Sequence, residues 1–336
     1  MTQQKANKIA QAFNDYMTEW HTYNQPYDDL MDADLFERYA RVLREQSKWG
    51  YFDFNKKVNG INRPFFSPSS AGNSDREMYE RAKRSKRDPV EFTVNQRYWV
   101  GLGGVIGEYL QREILLAERH YRKLTGKTPP FVMKRKDNGD PMYEHFVKTM
   151  KEIEHGGEHF AYFGLPDGIL EYTDEETGEI IDVGLELKSE QSNWSKFKAL
   201  DEPKRGHLEQ TVMYSDMYDL DYVIVAYVLS YGRGWFEEFN RMKTFGKHVT
   251  NDDKMNLRDR CAAATKMSRE GNPPKFDLAD WRFNDYQTVI AKSLSDEEVS
   301  DLERTVEQAK HSSLPKWKIA SYVEAVNDIK RLRGDK

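Results

Sequence analysis

A chain of 336 residues with a formal net charge of −5, 32% charged residues and one cysteine, Cys261, is long enough for one large domain or two small ones. It excludes an internal disulfide, a CxxC redox pair and an iron–sulfur cluster held by four of its own cysteines, and no apolar run approaches the ~20 residues that span a bilayer. The polar start, MTQQKANKIAQAFNDYMTEW, lacks the apolar core of a signal peptide, so the expectation is a cytoplasmic protein with no membrane contact. The acidic total does not advertise nucleic-acid binding, but local patches decide that question.

In chain order, residues 5–20 and 30–48 carry few breakers and read as helices. Residues 50–75 are rich in Gly, Asn, Ser and Pro and read as loop. REMYERAKRSKRD (76–88) reads as a basic helix with Arg81, Lys83, Arg84, Lys86 and Arg87 closely spaced. GVIGEYLQREILLAERHYRKL (104–124) puts Ile106, Leu110, Ile114 and Ala117 on one helical stripe. PPFVMKRKDNGDP (129–141) reads as a short strand, and MYEHFVKTMKEIE (142–154) as a helix stopped at Gly156-Gly157. KRGHLEQTVMYSDMYDL (204–220) reads as a helix, and DYVIVAYVLS (221–230) as a central strand buried on both faces. Residues 236–336 read as mostly helical. The predicted fold is α/β: a mixed central β-sheet flanked by helices, with a helical N-terminal extension (1–65), a core (66–235) and a helical C-terminal extension (236–336) packed on it as one domain.

The stretch FGLPDGILEYTDEETGEIIDVGLELKS, ending at Ser189, holds the chemistry. Thr173 to Glu179 is a polar, glycine-bearing tip between two strands, so the stretch predicts a β-hairpin. Period two places Val183, Leu185 and Leu187 on one face, and Glu186 and Lys188 on the other. Folding back at the tip returns Asp167 to the same end of the ribbon. Two carboxylates and an ammonium so gathered suit metal-dependent phosphodiester hydrolysis. Asp167 and Glu186 are hard oxygen ligands for Mg²⁺ or Mn²⁺, and Lys188 can hold a water or offset transition-state charge.

The Pro166-Asp167-Gly168 and Glu186-Leu187-Lys188 pair resembles the signature of the PD-(D/E)xK nuclease superfamily. HLEQTVMY resembles the Q-x-x-x-Y element of its RecB-like branch, with Gln210 and Tyr214 on one helix face. GLGGVIGEYLQ is similar to the branch's G-x-x-x-H/G-E helix, and FSPSSAGNSDREMY to its serine-rich segment. The resemblance implies a restriction-endonuclease-like core. It also implies metal held by Asp167, Glu186, Glu108 and the Leu187 carbonyl, with Gln210 and Tyr214 in supporting roles. By the same resemblance the substrate is DNA, attacked from its ends in recombination, replication or repair, alongside a partner protein and in a phage-infected host cytoplasm. Relatives that hold an iron–sulfur cluster carry cysteines where this chain has Asn73-Ser74-Asp75 and Trp281-Arg282-Phe283, so the resemblance is to the cluster-free members.

Plainer readings stand beside these. An acid-x-lysine pair on a ribbon is commonly a surface ion pair worth ~0–1 kcal/mol. Glu108 equally fits a solvent-facing position opposite the apolar stripe, and Gln210 and Tyr214 equally fit packing. Arg84 and Lys86, with Lys196, Lys198, Lys204 and Arg205, form basic candidates for gripping a phosphate backbone. Trp194 is a candidate to stack a base, or a core residue. GLGGVIG fails the dinucleotide fingerprint because Ile106 stands where its third glycine belongs. HGGEH (His155 to His159) matches a zinc-peptidase string, but that chemistry needs one uninterrupted helix. The acid–acid–lysine trio would equally serve a restriction-type or structure-specific endonuclease, and a nuclease fold without catalysis would serve as a DNA-binding or assembly protein.

Overall fold

The computed structural model describes residues 2–191, 193–230 and 239–334. Helices α1 (Thr2–Trp20) and α2 (Asp29–Gln46) open the chain. The glycine- and asparagine-rich stretch that follows carries the two-residue strands β1 (Lys57–Val58), β2 (Ile61–Asn62) and β3 (Phe65–Phe66) and a 3-10 turn, Pro68–Ser70. Helix α3 (Asp75–Ala82) starts on a Ser74/Glu77 capping box. Helix α4 (Val94–Thr125) begins well before the apolar stripe that predicted it, because Thr93 and Gln96 form a second capping box. The glycines of GLGGVIG therefore lie inside a helix and not at its start.

After β4 (Phe131–Met133) the structure corrects the sequence reading. Residues 142–154 are not a helix. A short 3-10 turn, Glu144–Phe146, leads into β5 (Thr149–His155), which turns into β6 (Glu158–Gly164). Gly156 and Gly157 have φ of 59° and 78°, the paired left-handed geometry of a type I′ hairpin, which glycine adopts at little cost. His155 and His159 thus lie on opposite strands, with Glu154 facing His159, and the one-helix arrangement of a zinc peptidase is absent.

Next come β7 (Gly168–Thr173), β8 (Ile180–Glu190), α5 (Trp194–Lys198), α6 (Arg205–Tyr218) and β9 (Tyr222–Leu229). Strand β10 (Met242–His248) lies in the segment read as helical. The remaining helices are α7 (Asn251–Glu270), α8 (Gln287–Ser293), α9 (Asp296–Lys310) and α10 (Lys316–Arg333). Among the described residues no helix is long and apolar enough to cross a membrane.

The central sheet has the order β10-β9-β8-β7-β4. Its β8–β9 pair is parallel and its other pairs antiparallel, so it is the mixed sheet expected. Helices flank it. One face, carrying Val183, Leu185, Ile224 and Ala226, packs on α1 and α4 through Ile9, Phe13, Trp20 and Ile114. On the other, Val223 packs with Met213, Tyr214 and Met217 of α6 and with the β3-β6-β5 sheet. Val225 and Tyr227 pack on Phe197 of α5. Strand β9 is therefore covered on both faces, which its unbroken apolar run requires. Helices α8 to α10 enclose a separate cluster around Trp281 and Ile290. It is tied to α3 by Arg76, which donates to the Pro274 carbonyl (3.0 Å) and to Ser293 Oγ (2.5 Å).

Candidate active site

The β7–β8 hairpin forms as predicted, with the Asp174 carboxylate accepting from the N–H groups of Glu176 (3.0 Å) and Thr177 (2.9 Å) at its tip. Gly168 pairs with Leu185, so Asp167, one residue before β7, stands opposite Glu186 on β8. Leu170 and Val183 point to the α1/α4 face. By alternation Glu186 and Lys188 point the other way, towards α6.

Each side chain of the trio is held by a named partner. The Leu187 N–H donates to Asp167 Oδ2 (2.6 Å). Both backbone groups of a strand residue point to the same edge, so the Leu187 carbonyl also faces the side where Asp167 lies, just before the start of β7. Lys188 Nζ contacts Glu186 Oε1 and donates to Gln210 Oε1 (3.0 Å). The Tyr214 hydroxyl donates to the Leu165 carbonyl (2.6 Å) and fixes the turn that delivers Asp167. Gln210 thus holds the lysine, and Tyr214 holds the loop. The i, i+4 spacing brings both to the site from one face of α6.

Burial is the dominant electrostatic fact. Glu186 is 2% exposed, and its Oε2 has no hydrogen-bond partner. Burial raises the Asp167 carboxyl well above the usual range, the Glu186 charge raises it further, and the Leu187 N–H and Lys188 pull it back only in part. Glu186 is also raised by burial, against the opposing pull of Lys188. A desolvated carboxylate pair with an orphaned oxygen is costly unless a cation joins it. Among the described residues no three His, Cys, Asp or Glu side chains form a ready-made metal cage. That donor set fits Mg²⁺, which is commonly held by one or two carboxylates and keeps several waters.

Sequence reasoning missed two neighbours. Gln111 of α4 is 1% exposed; its Nε2 donates to the Asp167 carbonyl (2.9 Å), and its Oε1 is buried without a partner. The signal was a polar residue on the inner stripe, one turn before Ile114. Glu144, hidden in the segment read as a helix, donates its N–H to the Pro166 carbonyl (2.8 Å), and its charge bears on Asp167. Glu108 is exposed, and its charge bears on Tyr39 and Tyr143, as does that of Glu144. It joins no ligand set with Asp167 and Glu186 among the described residues.

The basic candidates separate. Lys196, Lys198 and Arg205 are exposed beyond the site, and Lys204 Nζ pairs with Glu190 (2.8 Å). Trp194 is half-buried against Phe239, ring centroids 4.8 Å apart, in a packing position. Lys86 is exposed, whereas Arg84 is turned inward on backbone carbonyls.

His207 completes the α6 side. The Tyr227 hydroxyl oxygen accepts from the Lys204 N–H (3.0 Å) and shares a second hydrogen bond with His207 Nδ1 (2.7 Å). Burial, with the charges of Lys188 and Lys204, lowers the His207 pKa from 6.5 to about 4. The unfolded chain takes up this proton at higher pH than the folded one, so stability present above pH 6.5 is lost as pH falls towards 4. His207→Gln is expected to flatten that acid limb, read as a smaller drop in urea midpoint across this window than in the wild type.

No protein-family model matches the chain, and no curated protein matches it. Among solved structures it is similar to that of SSO0001, at 14% identity over 79% of this chain and 98% of that one, with a TM-score of 0.40. It is similar also to an alkaline exonuclease, LHK-Exo, from Laribacter hongkongensis, at 11% identity over 62% of this chain and 89% of that one, TM-score 0.35. A phage-related exonuclease from Haemophilus somnus 129PT matches at 14% identity over 67% of this chain and 87% of that one, TM-score 0.32. Such likenesses are too loose to carry residue roles across, and the site stands on its own geometry.

Proposed function

We propose that the protein is a Mg²⁺- or Mn²⁺-dependent nuclease that hydrolyses phosphodiester bonds of DNA. The observation that carries this reading is the Asp167–Glu186 pair, the first half-buried and the second buried, in which Lys188 meets Glu186 Oε1 while Glu186 Oε2, left without a hydrogen-bond partner, calls for a further cation. Asp167, Glu186 and the Leu187 carbonyl would hold the ion. Bound there, it would supply an activated water and neutralise charge on the phosphoryl oxygens. The chain's own residues position and balance. Leu187 N–H and Gln111 orient Asp167 from its two ends. Gln210 keeps Lys188 beside Glu186, where the ammonium can steady a water or offset charge that develops on the scissile phosphate. Glu108, exposed on α4, is assigned no direct bond to the ion.

The motif resemblance supports DNA as substrate and attack from its ends, in recombination, replication or repair with a partner protein. Lys196, Lys198 and Arg205 are exposed along α5 and the start of α6, where a phosphate backbone leaving the site would pass. The test is cleavage of end-labelled linear and closed circular DNA with Mg²⁺ or with chelator. The expected result is degradation of linear DNA, intact circles and no reaction in chelator. Nicked or linearised circles would replace the exonuclease with an endonuclease. Undiminished cleavage in chelator would remove the metal from the reading.

A further inference from the structure

A cavity of about 560 Å³ opens at the far end of β6, between the β1–β2 hairpin, the end of α3 and α7. Arg63, Lys83, Arg84, His159 and Arg269 line it, with Glu158 as the carboxylate among the lining residues. That carboxylate is already committed, since its Oε1 lies 2.5 Å from Arg269 Nη2. Arg63 is buried and committed to Glu152, which Lys56 also approaches at 3.2 Å. Lys83 and Arg84 have no carboxylate partner among the described residues. Lys83 is exposed over the Tyr79 ring, 5.8 Å from its centroid. Arg84 spends its guanidinium on neutral acceptors, the carbonyls of Phe54 and Arg63 (3.0 Å) and Asn55 Oδ1 (3.2 Å), and its Nε is buried without a partner. Burial and the neighbouring Arg63 charge both work against the Arg84 cation.

The wall thus carries more positive charge than its own acids cancel. An anion is what would relieve it, and the amides of Asn59 and Asn62 on the same wall add neutral donors. Strand β6 runs from this cavity at Glu158 to Gly164, just before Asp167. Its rise of ~3.3 Å per residue puts roughly 20 Å between cavity and acid pair. An anion held here is not the bond being cut.

We propose that this cavity is a binding site for a phosphate group, distinct from the acid pair. The phosphate comes either from a nucleic-acid backbone or from a free mononucleotide, and the volume accommodates a phosphate with its attached sugar in both cases. The site does not depend on the nuclease reading, because its charges are separate from the Asp167–Glu186 pair.

The experiment uses the full chain carrying Asp167→Asn, in chelator, so that no cleavage interferes. Binding of inorganic phosphate and of dAMP is measured by calorimetry, and binding of a labelled oligonucleotide by anisotropy over a salt series. Lys83→Glu and Asn62→Asp each place a negative charge on the wall at an exposed position. Either is expected to weaken binding about tenfold, the worth of one charge-assisted contact, and to leave the melting temperature unchanged. Loss of both phosphate and oligonucleotide binding, with a salt slope shallower by about 1, supports the site with a backbone phosphate as source. Loss of dAMP and phosphate binding alone supports it with a free nucleotide as source. Unchanged affinity for all three probes in both variants overturns it.

Discussion

Asp167→Asn is expected to lower cleavage by at least about a hundredfold to a thousandfold, the loss typical of removing one electrostatic stabiliser, and at the same time to make the metal-free protein more stable. The two effects have one cause. In the fold, burial and the Glu186 charge raise the Asp167 carboxyl above its ordinary value of 3.8, so the ionised form is disfavoured relative to the unfolded chain. The contribution of this group to stability is complete below pH 3.8 and is lost as pH rises from there through the raised folded value. At neutral pH the carboxylate therefore works against folding, and asparagine removes that opposition. Its amide carbonyl can still accept from the Leu187 N–H that Asp167 Oδ2 now receives at 2.6 Å. A divalent cation should stabilise the wild type, by about 2.7 kcal/mol at a hundred times its Kd, and should not stabilise the variant. Lys188→Ala is expected to behave differently, losing both activity and stability, because it strips Glu186 of its neighbouring cation. Melting curves in chelator and across a Mn²⁺ series, read beside cleavage rates, check all of this. An Asp167→Asn protein that cuts DNA at the wild-type rate, or melts below the wild type in chelator, would contradict the assignment.

Much of this site was legible in the sequence because its parts are local. The β7–β8 hairpin announces itself through alternation and a turn, and alternation alone puts Glu186 and Lys188 on one face. Strand β9 was legible because an unbroken apolar run has few other places to go. What escaped depends on partners distant in the chain. MYEHFVKTMKEIE fits a helical period as well as a strand, and the choice is made by the Gly156-Gly157 turn and by β6 waiting beyond it. Strand β10 is charged and barely alternates; it is a strand because β9 offers it an edge from Tyr222 to Val228. Gln111 works through a backbone carbonyl 56 residues away, for which no spacing rule exists. By sequence Arg84 reads as a surface cation in a basic helix. It instead ends in left-handed backbone, φ 59°, just past α3, and turns in to carbonyls of the preceding loop. The longer α4 could have been read, since Thr93-x-x-Gln96 is a capping signature.

Gly246→Ala is expected to be severely damaging, although Gly246 lies on β10, two strands away from the Glu186 strand. A Cβ there would lie 2.0 Å from the Ala6 carbonyl oxygen and 2.2 Å from its carbon. Helix α1 crosses edge strand β10 at this point and is laced to it. Gln3 Nε2 donates to the Gly246 carbonyl (2.7 Å), the His248 N–H donates to Gln3 Oε1 (3.0 Å), and Thr244 Oγ1 donates to the Ala10 carbonyl (2.8 Å). The obstacle is backbone, so it cannot swing aside; the whole helix must lift. Overpacking ordinarily costs about 1–3 kcal/mol. Lifting α1 also loosens Ile9, Phe13 and Trp20 from the sheet face they cover, and full exposure of each such side chain costs about 1.5–3 kcal/mol more. A loss of at least about 3 kcal/mol in unfolding free energy is expected, measured by urea denaturation. Ala6→Gly should not rescue it, because the clash is with the Ala6 carbonyl and not its methyl group. Gly104→Ala is the control of opposite sign: a helical glycine with nothing within 4 Å of the added carbon should stabilise by about 0.5–1 kcal/mol. Strand β8, which carries Glu186, lies two places in from β10, with β9 between them. The Gly246→Ala protein that remains folded should therefore keep its cation requirement while its melting temperature falls. Loss of the cation response without loss of stability would mean that α1 shapes the acid pair directly.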